Sequence, residues 1–262
     1  MSLALQKRID GFVKLGNLFR SPDEGFRQVA ATAYHRNGWF TPESVNESLQ
    51  SLGEMLSEDA LRSWVARYDI QDAPQPKVIG LVLAGNIPLV GFHDVLCVLI
   101  SGNHAQIKLS SDDSTLLSYV LRRLTDIEPD FAAYFQLTER LNGFDAVIAT
   151  GSNNTSRYFE YYFGKVPNII RKSRTSVTVI TEETTPEEIA RLGHDIFDYF
   201  GLGCRNVSKL FLPKDFLIDR LFEPLESFKQ VLHHHKYNNN YDYQKSILLV
   251  NRVPHFDNGF LL

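Results

Sequence analysis

The sequence predicts an α/β fold in which a parallel sheet is covered by helices on both faces and preceded by a helical region. Two observations carry this. From Val78 to Ala149, short strands, the first a β-branched run, alternate with helical stretches in the order β-α-β-α-β, which calls for parallel strands. Residues 1–70 instead show helical spacing throughout.

In that first region, Thr41-Pro42-Glu43 is a helix start: a capping hydroxyl followed by proline at the first helical position. Val45, Leu49, Leu52 and Leu56 then give one apolar face, and Ser57 caps the next helix, with Leu61, Trp64 and Val65. Residues 71–76 (Gln-Asp-Ala-Pro-Gln-Pro) read as a linker. Val78–Leu83 is the first strand, Pro88–Ile100 a helix apolar on most sides and closed by Gly102, and Ala105–Leu109 the second strand. Ser111–Leu124 is a polar-capped helix, Ala146–Ala149 the third strand, and a further helix lies near Tyr158.

Val177–Ile180 is another strand. Thr185, Pro186 and Glu188 after it form a capping box with proline at the first position. Ile189, Leu192, Ile196, Phe197 and Phe200 are the buried stripe of that helix, which Gly201 ends. Val207–Leu212 is the next strand, followed by a helix near Phe216–Leu232 and a polar, aromatic stretch around Tyr237–Tyr243.

Composition narrows the function. A 262-residue chain that is 44% apolar and 22% charged has the balance of a soluble globular protein. Its net charge of -4 argues against nucleic acid as a partner. The longest apolar stretch, Ile87–Ile100, is broken by His93 and Asp94 and is too short for a membrane span. No secretory signal is expected, and two cysteines make no disulfide framework, so the expected compartment is the cytoplasm.

Cys204 lies past a helix end, after Gly203 and before Arg205, at the entrance of a strand. Such junctions present side chains to solvent, and a thiolate is the form that attacks carbonyl carbon. A buried structural cysteine fits the local sequence as well. Cys97, among Val95, Leu96, Val98 and Leu99, belongs to the core. Asn86 follows the first strand, at the edge where ligands bind in such sheets, as an oxyanion donor or a turn asparagine. Lys108 ends the second strand, where it contacts a ribose or phosphate or is simply solvated. Thr150-Gly151-Ser152 ends the third strand and opens a helix, a place suited to pyrophosphate. His233-His234-His235 has no carboxylate cluster at ligand spacing, and no metal is expected there.

Together, Asn86-Ile87-Pro88, Gly102-Asn103, Lys108, Thr150-Gly151-Ser152 and Gly203-Cys204 resemble the aldehyde dehydrogenase superfamily over about two thirds of the chain. Arg171-Lys172-Ser173-Arg174, Phe200–Lys209 and Tyr237–Tyr243 are similar to its fatty acyl-CoA reductases of the LuxC type. The resemblance implies a helical region 1–75 packing on a Rossmann-type nucleotide-binding domain 76–171, and an α/β catalytic domain 172–262 that is truncated at its C-terminal end. It implies NADPH-dependent reduction of a long-chain acyl-CoA or acyl-protein thioester through an acyl-cysteine at Cys204. Asn86 is the second catalytic residue; Lys108, Ser110, Ser111, Gly151 and Ser152 hold the cofactor. An acyltransferase or synthetase partner and a homo-oligomer of the full-length protein are also implied.

Two departures from ordinary aldehyde dehydrogenases agree with reduction. The glutamate that activates water in hydrolytic members is replaced at about Ile170, and the ribose-binding acid falls near Ser111. Without that carboxylate a 2′-phosphate meets less repulsion. The alternatives are a CoA-acylating or hydrolytic dehydrogenase and a non-catalytic nucleotide-binding module.

Overall fold

The computed structural model describes residues 3–70 and 75–262; residues 71–74 of the expected linker lie outside the described residues. The chain divides into two compact units, Met1–Ser173 and Arg174–Leu262.

The first unit opens with four helices: α1 (Leu5–Arg20), α2 (Glu24–Arg36), α3 (Pro42–Met55) and α4 (Glu58–Val65). Thr41 caps α3 as expected, its hydroxyl accepting from Ser44 N–H. Ser57 stands at the N-cap of α4 but makes no side-chain cap bond. Then follow β1 (Val78–Val82), α5 (Phe92–Ile100), β2 (His104–Lys108), α6 (Ser114–Ile127), β3 (Phe135–Leu137), β4 (Ala146–Thr150), α7 (Asn153–Phe163) and β5 (Asn168–Arg171).

The strands form one parallel sheet in the order β3-β2-β1-β4-β5. Side chains alternate across a sheet, so neighbouring positions of β1 report its two faces. Leu81 is fully buried in the large core, and Leu83 on the same side meets Gly91 just before α5. Gly80 faces Leu141 and Phe144, and the Phe144 ring packs edge-on against Phe163 of α7. Both faces are therefore covered.

One core joins the N-terminal helices to the sheet. Edge-on ring contacts run through it: Phe131 to Phe12, Phe12 to Phe92, Phe92 to Phe19, Phe19 to Phe26 and Phe26 to Tyr119. Phe92 is the first residue of α5, so this cluster anchors the segment that leads from β1 into that helix.

That segment corrects an expectation. The helix does not begin at Pro88 but at Phe92, after a turn over residues 88–91. Leu89 is left-handed (φ 57°) and donates its N–H to buried Asp113, while Pro88 C=O accepts from Ser48 of α3. Tertiary hydrogen bonds hold the backbone away from helical geometry that local propensity favours. Similarly, Ser111–Asp113 is a single 3₁₀ turn and α6 starts at Ser114. Strands β3 and β5 were absent from the expectation altogether. Cys97, expected in the core, is only half-buried, because its side of α5 borders a shallow concavity lined by Ile79, Val98, Ala146 and Ile148.

The second unit contains β6 (Ser176–Val179), α8 (Pro186–Phe197), β7 (Val207–Phe211), α9 (Asp219–Leu225) and α10 (His235–Val250). Strands β6 and β7 pair in parallel, with α8 as their crossover. The capping box of α8 forms as predicted: Thr185 Oγ1 accepts from Glu188 N–H, and the Glu188 carboxylate accepts from Thr185 N–H. The core holds Ile180, Ile189, Leu192, Phe197, Leu221, Leu225 and Phe260. The helix expected over Phe216–Leu232 is split into α9 and a 3₁₀ stretch, Glu226–His233, with Pro224 inside α9. The polar, aromatic stretch at Tyr237–Tyr243 lies within α10. His234 caps α10, its Nδ1 accepting from Tyr237 N–H at 3.3 Å. Among the described residues, no group of three His, Cys, Asp or Glu side chains could hold a metal ion.

Candidate active site

In the first unit, strand register decides which loops share an edge. Val82 of β1 pairs with Lys108 of β2 and with Ala149 of β4, and Thr150 pairs with Arg171 of β5. The carboxyl ends of these strands are therefore level. Strand order reverses direction between β1 and β4, the switch point where open parallel sheets leave a crevice for ligands. The loop after β1 carries Asn86, and the turn after β4 carries Gly151 and Ser152, so the two flank that point. Lys108, Ser110 and Ser111 leave the same edge one strand further out.

The side chains of Lys108, Ser110 and Ser152 each make a local hydrogen bond. Asn86 is exposed in its loop. Lys108 is exposed, and its ammonium donates to the Glu139 carbonyl at 2.9 Å. Ser110 Oγ accepts from Asp112 N–H, closing the turn before α6, while Ser111 is exposed. Ser152 caps α7: its Oγ accepts from Thr155 N–H at 3.2 Å. Gly151 donates its N–H to the Arg171 carbonyl, and a Cβ there would lie 2.9 Å from the Phe159 ring. The missing Cβ lets α7 close on the turn.

Arg171, at the end of β5, grips Asp94 in the first turn of α5 through one guanidinium nitrogen, 2.6 and 2.7 Å from the two carboxylate oxygens. Asp94 is buried, and a buried carboxylate is tolerated when paired. The pair ties the sheet edge to the helix that follows the Asn86 loop. Ile170 is half-buried within β5, opposite Ala149.

In the second unit, Cys204 is exposed in the turn between α8 and β7. The backbone reverses out of α8 through three consecutive left-handed residues, Tyr199, Phe200 and Gly201. Asn206 then fastens the turn. Its Oδ1 accepts from Gly203 N–H at 2.7 Å, its Nδ2 donates to the carbonyls of Asp195 and Asp198, and its N–H donates to Gly203 C=O. Cys204 thus sits on a turn held by side-chain bonds rather than on a loose loop. Sequence reasoning missed Asn206, although an asparagine two residues after a turn cysteine is a usable signal for such a staple. The other thiol, Cys97, is pushed up to about 11, first by burial and then by the nearby Asp94 carboxylate.

This architecture is shared with solved structures. An aldehyde dehydrogenase from Bacillus cereus, solved as its NAD+ complex, superposes with a TM-score of 0.64 at 15% identity, covering 86% of this chain and 50% of that one. An NADP-dependent glyceraldehyde-3-phosphate dehydrogenase from Bacillus halodurans gives a TM-score of 0.62 at 12% identity, with 86% and 52% covered. The fold is that of the aldehyde dehydrogenases. Within it, residues 25–224 match the family model described as acyl-CoA reductase (LuxC), and the chain belongs to that family.

Its sequence is 25% identical over 223 residues to the long-chain acyl-protein thioester reductase of Aliivibrio fischeri, covering 78% of this chain and 46% of that protein. A second relative, long-chain acyl-protein thioester reductase 2 of Photobacterium leiognathi, is 22% identical over 220 residues, covering 76% and 45%. The chain spans about half the length of these curated relatives.

Proposed function

We propose that the chain carries the chemistry of an NADPH-dependent reductase that converts a long-chain acyl thioester, on CoA or on a protein, to the fatty aldehyde. The observation that carries this reading is an exposed cysteine on a stapled turn, in a chain of the acyl-CoA reductase family. In the proposed reaction the Cys204 thiolate attacks the thioester carbonyl, the donor thiolate leaves and takes up a proton, and an acyl-cysteine remains. NADPH, when bound, supplies the hydride. Collapse of the resulting hemithioacetal releases aldehyde and returns the Cys204 thiolate. Asn86 is assigned the amide that donates to the developing oxyanion, a contribution of about 3 kcal/mol in comparable sites.

The residues present fit a dinucleotide. The support is the level strand ends at the switch point, the α7 N-terminus beside Gly151 and Ser152, and an exposed cation at Lys108. We assign Gly151 and Ser152 to the pyrophosphate, and Lys108, Ser110 and Ser111 to the adenosine ribose and its 2′-phosphate. An acyltransferase or synthetase as acyl donor, a cytoplasmic setting and a homo-oligomer complete the proposal. No helix among the described residues is long and apolar enough to cross a membrane.

Intact mass spectrometry after incubation with a long-chain acyl-CoA tests the reaction class. The expected result is one acyl adduct, mapped to Cys204; a folded sample without the adduct overturns the reading. Cofactor choice is tested by titration. NADPH should bind more tightly than NADH, and Lys108→Ala should weaken NADPH by about 1 kcal/mol. The loss sits at the low end for a charge-assisted contact because Lys108 must first leave the Glu139 carbonyl. Equal affinity of the parent chain for both nucleotides defeats the assignment.

A further inference from the structure

The loop bearing Asn86 is held from outside itself. Asp113, only 3% exposed, lies where the 3₁₀ turn meets α6, and its Oδ2 accepts from Leu89 N–H at 2.7 Å. Its Oδ1 is buried with no hydrogen-bond partner. Leu89 is left-handed, a conformation that costs a side-chain-bearing residue about 1–2 kcal/mol. At the other end of the loop, a Cβ on Gly85 would lie 2.5 Å from Ser110 Oγ and 3.1 Å from Asp113 N. The loop thus touches the 110–113 segment at both of its ends.

We propose that Asp113 is a positioning residue for Asn86: by holding Leu89 it keeps residues 85–89 in their strained path against residues 110–113. A buried carboxyl with an unmet oxygen is a poor choice for packing alone, since an apolar side chain would fill the space without that desolvation cost. Its geometric effect is specific. It bonds the one backbone donor whose left-handed residue separates the Asn86 turn from α5. Burial also pushes the Asp113 carboxyl up to about 8, against a smaller opposing pull from the Leu89 N–H. At neutral pH it is mostly the uncharged acid, so asparagine is the conservative replacement: neutral, equal in shape, and carrying one acceptor for Leu89.

The clamp stands on the Leu89 contact; its bearing on catalysis rests on the function proposed for Asn86. The test therefore has two arms, using the 262-residue chain with Asp113→Asn and Asp113→Ala. In the first, amide hydrogen exchange is followed at Leu89. Asp113→Ala should speed it about tenfold or more, and Asp113→Asn should leave it near the parent rate. In the second, acylation of Cys204 by a long-chain acyl-CoA is timed with and without Asn86→Ala. Asp113→Ala should slow acylation about tenfold in the parent, and add nothing once Asn86 is gone. Unchanged Leu89 exchange in folded Asp113→Ala overturns the clamp, and fully additive losses with Asn86→Ala overturn the positioning role. If Asp113→Ala does not fold, Asp113→Ser, too short to reach Leu89, takes its place. A parent chain that is never acylated refutes the reductase reading, while the exchange arm still decides the clamp.

Discussion

Cys204→Ser binds NADPH with nearly parental affinity, forms no acyl-enzyme and yields no aldehyde: this is the largest effect expected of any single substitution here. The substitution changes one atom and leaves the turn intact, because the Asn206 side chain bonds Gly203, Asp195 and Asp198 and not Cys204 itself. What changes is nucleophilicity. A serine hydroxyl needs an adjacent base to attack a thioester, whereas a thiol is partly ionised near neutral pH and far more nucleophilic. Nucleotide affinity is expected to survive because the residues assigned to the cofactor lie in the first unit. The assay is paired: intact mass for the acyl adduct, and NADPH consumption for turnover. Undiminished turnover in the variant would move the nucleophile elsewhere and rule out the mechanism.

The second large effect concerns water. An acyl-cysteine persists only if nothing activates water beside it, and a general base is typically worth about 10²–10⁴-fold. Ile170 occupies the place implied for that base. It lies in β5, opposite Ala149 and next to Arg171, whose guanidinium is committed to Asp94. Release of fatty acid from the acylated chain should therefore be much slower than transfer to an added thiol, which needs no activated water. The measurement is to acylate, remove free acyl-CoA, and follow fatty acid without NADPH. Rapid release from the unmodified chain would mean that another residue activates water, and a hydrolytic dehydrogenase would then be the better description. Ile170→Glu should speed release, although lost packing in the strand and the Arg171–Asp94 pair nearby blunt the gain.

Much of the fold was legible where local chemistry acts alone. The caps at Thr41 and Thr185 name their helices because the hydroxyl, the proline and, at Thr185, the glutamate three residues on satisfy the first free N–H groups without outside help. Strands β1, β2 and β4 are interior strands; β1 and β4 show the apolar runs that burial on both faces requires, while β2 keeps Ala105 and Ile107 between polar residues. Strands β3 and β5 sit at the sheet edges, are only three and four residues long, and include exposed positions, so no run announces them. Helix α10 was hidden by Asn238-Asn239-Asn240, poor helix formers. Tertiary bonds offset that: Tyr237 donates to the Phe260 carbonyl, Tyr241 donates to Asp257, and Lys245 pairs with Asp257 at 2.6 Å. The candidate site divides the same way. Asn86, Lys108, Gly151 and Cys204 stand out by their place in the strand–helix order. Asp113 did not, because Ser110-Ser111-Asp112-Asp113 reads as an ordinary polar helix start, and burial of one of those carboxyls is a property of the packed molecule.

The contrast between the two thiols makes the chain behave toward electrophiles as though it had a single cysteine. With its thiol pushed up to about 11, Cys97 is scarcely ionised at pH 8, and it is half-shielded as well. Iodoacetamide or a maleimide dye at that pH should modify Cys204 with a stoichiometry near one, read by peptide mapping. Comparable labelling of Cys97 would mean that α5 opens readily enough to expose it. Without any mutagenesis, the molecule thus offers one addressable handle for a fluorophore or spin label, at the position where the acyl group is proposed to ride.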